Sequence, residues 1–172
     1  MSEALGGALL AFEVGAVRAA LPLGLVREVV DCPPIVPVPG SHPYVAGVTL
    51  SGGIALPVYD LRRFPTFWES QSAAAGIGGA GQPRHLIVVG YGEVLVALLG
   101  AQADLLERLE PDFSETAGEG AIRREFIRGM LKSGALSVAL LDPERLFASL
   151  GVPADGFRNA REDEGEEDPA GR

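Results

Sequence analysis

No stretch of this sequence carries helical periodicity long enough for a crossover helix, and this constrains the fold more than any motif in it. The apolar runs are short, and turn residues recur about every 8–12 positions. That spacing belongs to small all-β barrels rather than to a parallel sheet. Twenty-three glycines and 13 prolines among 172 residues supply the turns. Their share stays below the roughly 25–30% that marks a disordered chain. With 47% apolar and 22% charged residues, the chain can bury a core as one domain or two small lobes.

Residues 8–14 (ALLAFEV) and 17–22 (VRAALP) read as two strands around the turn Gly15-Ala16. In the following LGLVREVV, Leu23, Val26 and Val30 recur at helical spacing, with Arg27 and Glu28 toward water. This predicts a helix of about two turns, stopped by Pro33-Pro34. Residues 33–43 hold five prolines, so the segment is extended and is no central strand. Residues 45–50 and 54–61 form a second pair of strands around Ser51-Gly52-Gly53, with a short helical turn over 61–68. Residues 70–83 (SQSAAAGIGGAGQP) read as a loose Gly/Ala linker, and the boundary between two lobes is expected there. Residues 84–90 and 93–100 repeat the hairpin pattern, 103–109 is a short amphipathic segment, and 110–121 is loop. Residues 125–131 and 135–142 form a third hairpin across Ser133-Gly134. A last helix starts at Pro143 behind the N-cap Asp142 and stops at Gly151. Residues 152–172 form an acidic tail, dense in acids over 162–168, and are expected to be solvated and disordered. The expected architecture is mainly β: two small barrel-like lobes with a few short helices.

A net charge of −9 argues against nucleic acid and against direct contact with anionic membrane surfaces. One cysteine and two histidines make a metal centre improbable, no apolar run approaches a membrane-spanning length, and the N-terminus lacks a basic region before its apolar stretch. The cytoplasm is the expected location. Candidate chemistry is sparse. Gly76, Gly78 and Gly81 match G-x-G-x-x-G, but the strand before and the helix after that a dinucleotide site needs are missing. Cys32 and His42 lack an orienting third group, and His85 opens an apolar strand. Asp60 and Glu28 are carboxylates that nothing in the sequence brings together, and Asp60 before Leu61-Arg62-Arg63 reads as an N-cap. No catalytic residues and no cofactor are expected. What remains is surface for partners, on the Val26/Val29 face and on exposed strand edges.

Several segments, in order, resemble the CheW family of chemotaxis coupling proteins. ALLAFEVGAVRAALPLGLVREVV is similar to that family's first hairpin and the segment ending in V-x-E-[IV], here Val26, Glu28 and Val29. VAGVTLSGGIALPVYDL resembles its G-V-x-N-L-R-G-x-[VIL]-x-P-[VI]-x-D-L hallmark at Gly47, Val48, Gly53, Pro57, Val58, Asp60 and Leu61. RHLIVVGYGEVLVALL looks like the hairpin opening the second subdomain, and EFIRGMLKSGALSVALLDPERLF like the closing hairpin and helix. The resemblance covers about residues 5–151. It implies two SH3-like five-stranded β-barrel subdomains around a hydrophobic groove. It also implies a non-enzymatic adaptor that docks on the cytoplasmic tip of a chemoreceptor and on the regulatory domain of a CheA-type histidine kinase. By position, the family's partner contacts fall on Val26, Glu28, Val29, Gly52, Leu86 and Val88.

Two departures bear on function. The hallmark arginine is Gly52 here, which removes five donors and a charge. Residues 99–102 (LGAQ) stand where the family has V-D-x-V. They leave open an accessory protein that keeps the receptor and weakens the kinase. A small-molecule site or enzyme between the lobes is the alternative from another class.

Overall fold

The computed structural model describes residues 7–15, 17–64, 83–106, 126–133 and 136–151. The strands are β1 (Leu9–Val14), β2 (Val17–Pro22), β3 (Val26–Asp31), β4 (Val45–Ser51), β5 (Ile54–Tyr59), β6 (His85–Tyr91), β7 (Val94–Leu106), β8 (Ile127–Ser133) and β9 (Leu136–Leu141). Among the described residues one α-helix, α1 (Pro143–Ser149), follows the last strand, and 3-10 turns cover Leu23–Leu25 and Leu61–Arg63. The Gly/Ala stretch at 70–83 (all but Pro83), the G-x-G-x-x-G glycines and the acidic tail lie outside the described residues.

The nine strands among the described residues make two five-stranded SH3-like lobes because β7 serves in both. Residues 94–100 pair antiparallel with β6, and Ala97 and Leu98 pair parallel with β5. Residues 101–106 pair with β1. One lobe therefore runs β7-β1-β2-β9-β8 and the other β3-β6-β7-β5-β4. This corrects the expected boundary at 70–83. The strands on either side of that stretch, β5 and β6, belong to the same lobe. The chain begins one lobe, builds the other, and returns along β7 to complete the first. The amphipathic segment expected at 103–109 is, as far as it is described, the C-terminal part of β7.

Strand alternation explains how so few residues fill three apolar clusters. On β6, Leu86 and Val88 face the interior of their own barrel, with Leu56, Val58, Ala97 and Leu99. Ile87 and Val89 face the other way, into the cluster between the lobes. On β1, Leu9 and Ala11 join the interior of the first lobe, while Leu10, Phe12 and Val14 join the shared cluster. Central strands covered on both faces read as continuous apolar runs, which is what LIVV and VLVALL are. Fully burying a Leu, Val or Phe stabilises by about 1.5–3 kcal/mol, so the shared cluster binds the lobes into one unit.

The predicted helix over 23–30 is wrong. Leu23–Leu25 is a single 3-10 turn, and Val26–Asp31 is strand β3, paired antiparallel with β6. The register slips between Val26 and Glu28, so Arg27 is the extra residue of a bulge. The slip breaks the period of two and leaves valines spaced as on a helix. β-Branched Val26, Val29 and Val30 favour the strand, and β6 supplies the pairing.

The second hairpin forms as the sequence predicts. Ser51 pairs with Ile54, and Gly52 and Gly53 turn with φ of 57° and 82°. Two positive φ values are what a two-residue hairpin loop needs. The proline-rich segment lies extended along β4, joined by Val36 N–H to Val48 O and Val48 N–H to Val36 O, each 2.9 Å. Helix α1 starts as expected, with the Asp142 carboxylate accepting from Arg145 N–H at 3.1 Å and Pro143 in the first turn.

Candidate functional site

β3 pairs with β6 on one side, and no described strand pairs with its other edge. The end of the β4–β5 hairpin is tied to it, because the Ser51 hydroxyl donates to Glu28 Oε1. Exposed large apolar side chains gather on the strand and the hairpin tip: Val29, 38% exposed, with Leu50 at 70% and Ile54 at 53%, the last two on opposite faces of the hairpin. Val36 and Val38, beside β4, are also exposed large apolar residues. Four of these five lie within residues 32–59, a stretch with no Asp, Glu, Lys or Arg. Loss of charge with retention of exposed apolar side chains is the compositional mark of a docking surface.

The residues expected to contact partners separate into two groups. Val26 packs its side chain partly against the shared cluster, Glu28 and Val29 are exposed, and Gly52 stands at the hairpin apex with open space around it. Leu86 and Val88 are 0% and 3% exposed and lie inside the barrel behind β3, where Leu86 is in register with Val30 and Val88 with Glu28. Both faces of β6 are covered, so these two side chains offer a partner no surface. They support β3 instead. Val36, Leu50 and Ile54 are exposed apolar residues that sequence reasoning missed. The charge-free stretch was the signal for them.

At the end of the β4–β5 hairpin away from its tip sits a buried ion pair. Asp60 is 3% exposed and caps the turn Leu61–Arg63 as the sequence predicts, accepting from Arg62 N–H at 3.1 Å. Its carboxylate also takes a two-pronged contact from the Arg62 guanidinium at 2.8 and 2.7 Å, with Arg63 Nε at 3.5 Å. Burial pushes the carboxyl up, but the hydrogen bonds and charge of Arg62, with the charge of Arg63, outweigh it and hold the pKa below the ordinary value. Arg63 reaches Pro43 O and Val45 O, so the cluster fixes the entry to β4. The polar side chains of this cluster are engaged in holding the turn and the hairpin base. Cys32 is half-buried, its Sγ lies 3.6 Å from Pro33 O, and burial pushes its thiol up, away from the reactive thiolate. The His42 ring lies against Tyr44, tilted by 50°, with ring centroids 4.4 Å apart. Among the described residues no three His, Cys, Asp or Glu side chains gather to hold a metal, and no helix is long and apolar enough to cross a membrane.

The CheW-like domain model matches residues 8–151, both lobes and the closing helix. The chain belongs to the CheW-like domain family. It is 30% identical over 149 residues to the chemotaxis protein CheW of Rhizobium meliloti (strain 1021), covering 84% of this chain and 89% of the relative. Its fold is similar to the crystal structure of the scaffolding protein TtCheW from Thermoanaerobacter tengcongensis. There the TM-score is 0.57 at 18% identity, over 80% of this chain and 89% of the other. In family terms, the hallmark stretch of this chain is the β4–β5 hairpin and its Asp60 cap, and the V-x-E-[IV] segment is the free-edged strand β3.

Proposed function

We propose that this chain is a non-catalytic coupling protein of a chemosensory array. It binds the cytoplasmic signalling tip of a chemoreceptor and the regulatory domain of a CheA-type histidine kinase, and it acts in the cytoplasm by binding alone. Membership of the CheW-like family supports this reading. The observation that carries it is the face of β3 and the hairpin tip: a free strand edge, exposed Val29, Leu50 and Ile54, and no ionic group in the hairpin. A helical hairpin of the receptor lays apolar side chains against Val26 and Val29, a helix-in-groove mode. Glu28 and Gly52 set the rim and the clearance of the tip. Each contact is modest, below about 1,200 Å² in total, and repetition in an array supplies avidity. Neither cofactor nor metal enters the mechanism.

Gly52 favours a second reading, an accessory protein that holds the receptor and has weakened its hold on the kinase, because the apex lacks the hallmark guanidinium. Titrating the purified protein separately against the receptor hairpin and the kinase regulatory domain of its own locus tests both. Saturable binding to both supports the coupling role. Binding to the receptor alone supports the accessory role, and Gly52→Arg is then expected to restore kinase affinity. Binding to neither contradicts both.

A further inference from the structure

β3 and β4 are the outer strands of their lobe, and no described ladder joins them. The bonds that cross between them change in kind toward the hairpin tip. Val48 of β4 pairs through its backbone with Val36. One residue on, the Thr49 hydroxyl donates to Pro34 O at 2.9 Å. At the tip the Ser51 hydroxyl donates to Glu28 Oε1. The reach grows from backbone pairing to two side chains end to end, so the seam widens toward the tip. The Ser51–Glu28 bond is the last described tie across it.

Strand alternation places this tie on the inner side of the lobe. Glu28 is in register with Val88, and Thr49, two residues before Ser51, is in register with Leu56. Val88 and Leu56 both belong to the interior cluster. The next residue on each strand therefore points outward. Val29 is in register with Ile87, a member of the cluster between the lobes, and Leu50 lies opposite exposed Ala55. These two exposed apolar side chains flank the seam, one from each strand, on the side where Val26 also lies. The hallmark pattern has leucine where this chain has Ser51, and leucine has no hydroxyl to donate.

We infer that Ser51 and Glu28 are positioning residues of the docking face: their hydrogen bond sets the spacing of Val29 and Leu50, and that pair takes the apolar side chains of the receptor helix across the seam. The inference rests on the coupling reading and deepens it. Glu28, a partner contact by resemblance, becomes an internal acceptor, and the apolar pair carries the contact. A tip held in place before docking loses less conformational freedom on binding.

The test titrates the full chain against the purified receptor signalling hairpin, with thermal unfolding of each variant alongside. Ser51→Ala and Glu28→Ala are each expected to bind about three- to tenfold more weakly while still unfolding cooperatively. The double variant is expected to lose no more than either single one, because both remove the same bond. Glu28→Gln keeps an oxygen for the hydroxyl and recovers most of the affinity that Glu28→Ala loses. Leu50→Ser weakens binding at an unchanged melting temperature. If Glu28→Gln binds as weakly as Glu28→Ala, or the losses of the two alanine variants add, Glu28 meets the partner directly. The inference is then overturned and the coupling reading stands. Binding by Ser51→Ala or by Leu50→Ser as tight as that of the unchanged protein overturns it too. If the unchanged protein shows no saturable binding to the hairpin, the coupling reading fails and the inference falls with it.

Discussion

Asp60 keeps its charge in a nearly closed site because Arg62 and Arg63 surround it, and this gives the fold a definite response to acid. Its pKa is held low in the folded chain, so the unfolded chain takes up the proton more readily. The stability supplied by the pair is complete above the unfolded carboxyl pKa, about 4, and is lost as pH falls through the lower folded value. Asp60→Asn is expected to cost about 1–3 kcal/mol at neutral pH and to flatten the acid limb of a denaturant-derived stability profile. Equal profiles for the two proteins would remove the pair from the account. Gly100, one of the departures from the family pattern, has a packing reason that sequence alone hides. A Cβ there would lie 2.9 Å from Ile87 Cδ1 and 3.0 Å from Phe12 Cδ2, where β7 passes from one lobe to the other. Gly100→Val overpacks this crossing and is expected to cost about 1–3 kcal/mol, read as a lower midpoint in urea at an unchanged slope.

Among the elements, those with strong local chemistry were legible. The Gly52-Gly53 turn and the Asp142-Pro143 start of α1 each follow from two or three residues. Asp142→Ala removes the acceptor for Arg145 N–H and is expected to cost about 1 kcal/mol, measurable as a drop in melting temperature. An unchanged melting temperature would mean that Leu146 and Phe147, both buried, hold the helix without its cap. β3 was illegible for a nameable reason. The bulge at Arg27 shifts the alternation by one residue, and the decisive partner, β6, lies more than fifty residues away in sequence. Leu86 and Val88 failed as contact residues on the same account. An apolar run in a strand looks alike at an edge and at the centre, and only the pairing of β6 with both β3 and β7 places it inside.

At the scale of the whole molecule, the all-β class and the two lobes were legible from turn spacing and from the lack of a crossover helix. The interleaving of the lobes was not, because a loose segment marks where a chain wanders and says nothing of which sheet it returns to. β7 ties the lobes covalently, the ion pair of Arg18 with Asp104 bridges β2 to β7 across β1, and the cluster between the lobes spans both. One cooperative unfolding transition is expected. The proposed docking face was half legible: its strand came from a resemblance and its apolar tip from charge depletion. The central claim is that β3 and the hairpin tip form the receptor face. Hydrogen exchange of the full chain, with and without the purified receptor signalling hairpin, tests it most directly. The account predicts slowed exchange over residues 26–31 and 49–55, with β8 and β9 unchanged. Protection confined to β8 and β9, or none at saturating hairpin, would contradict it.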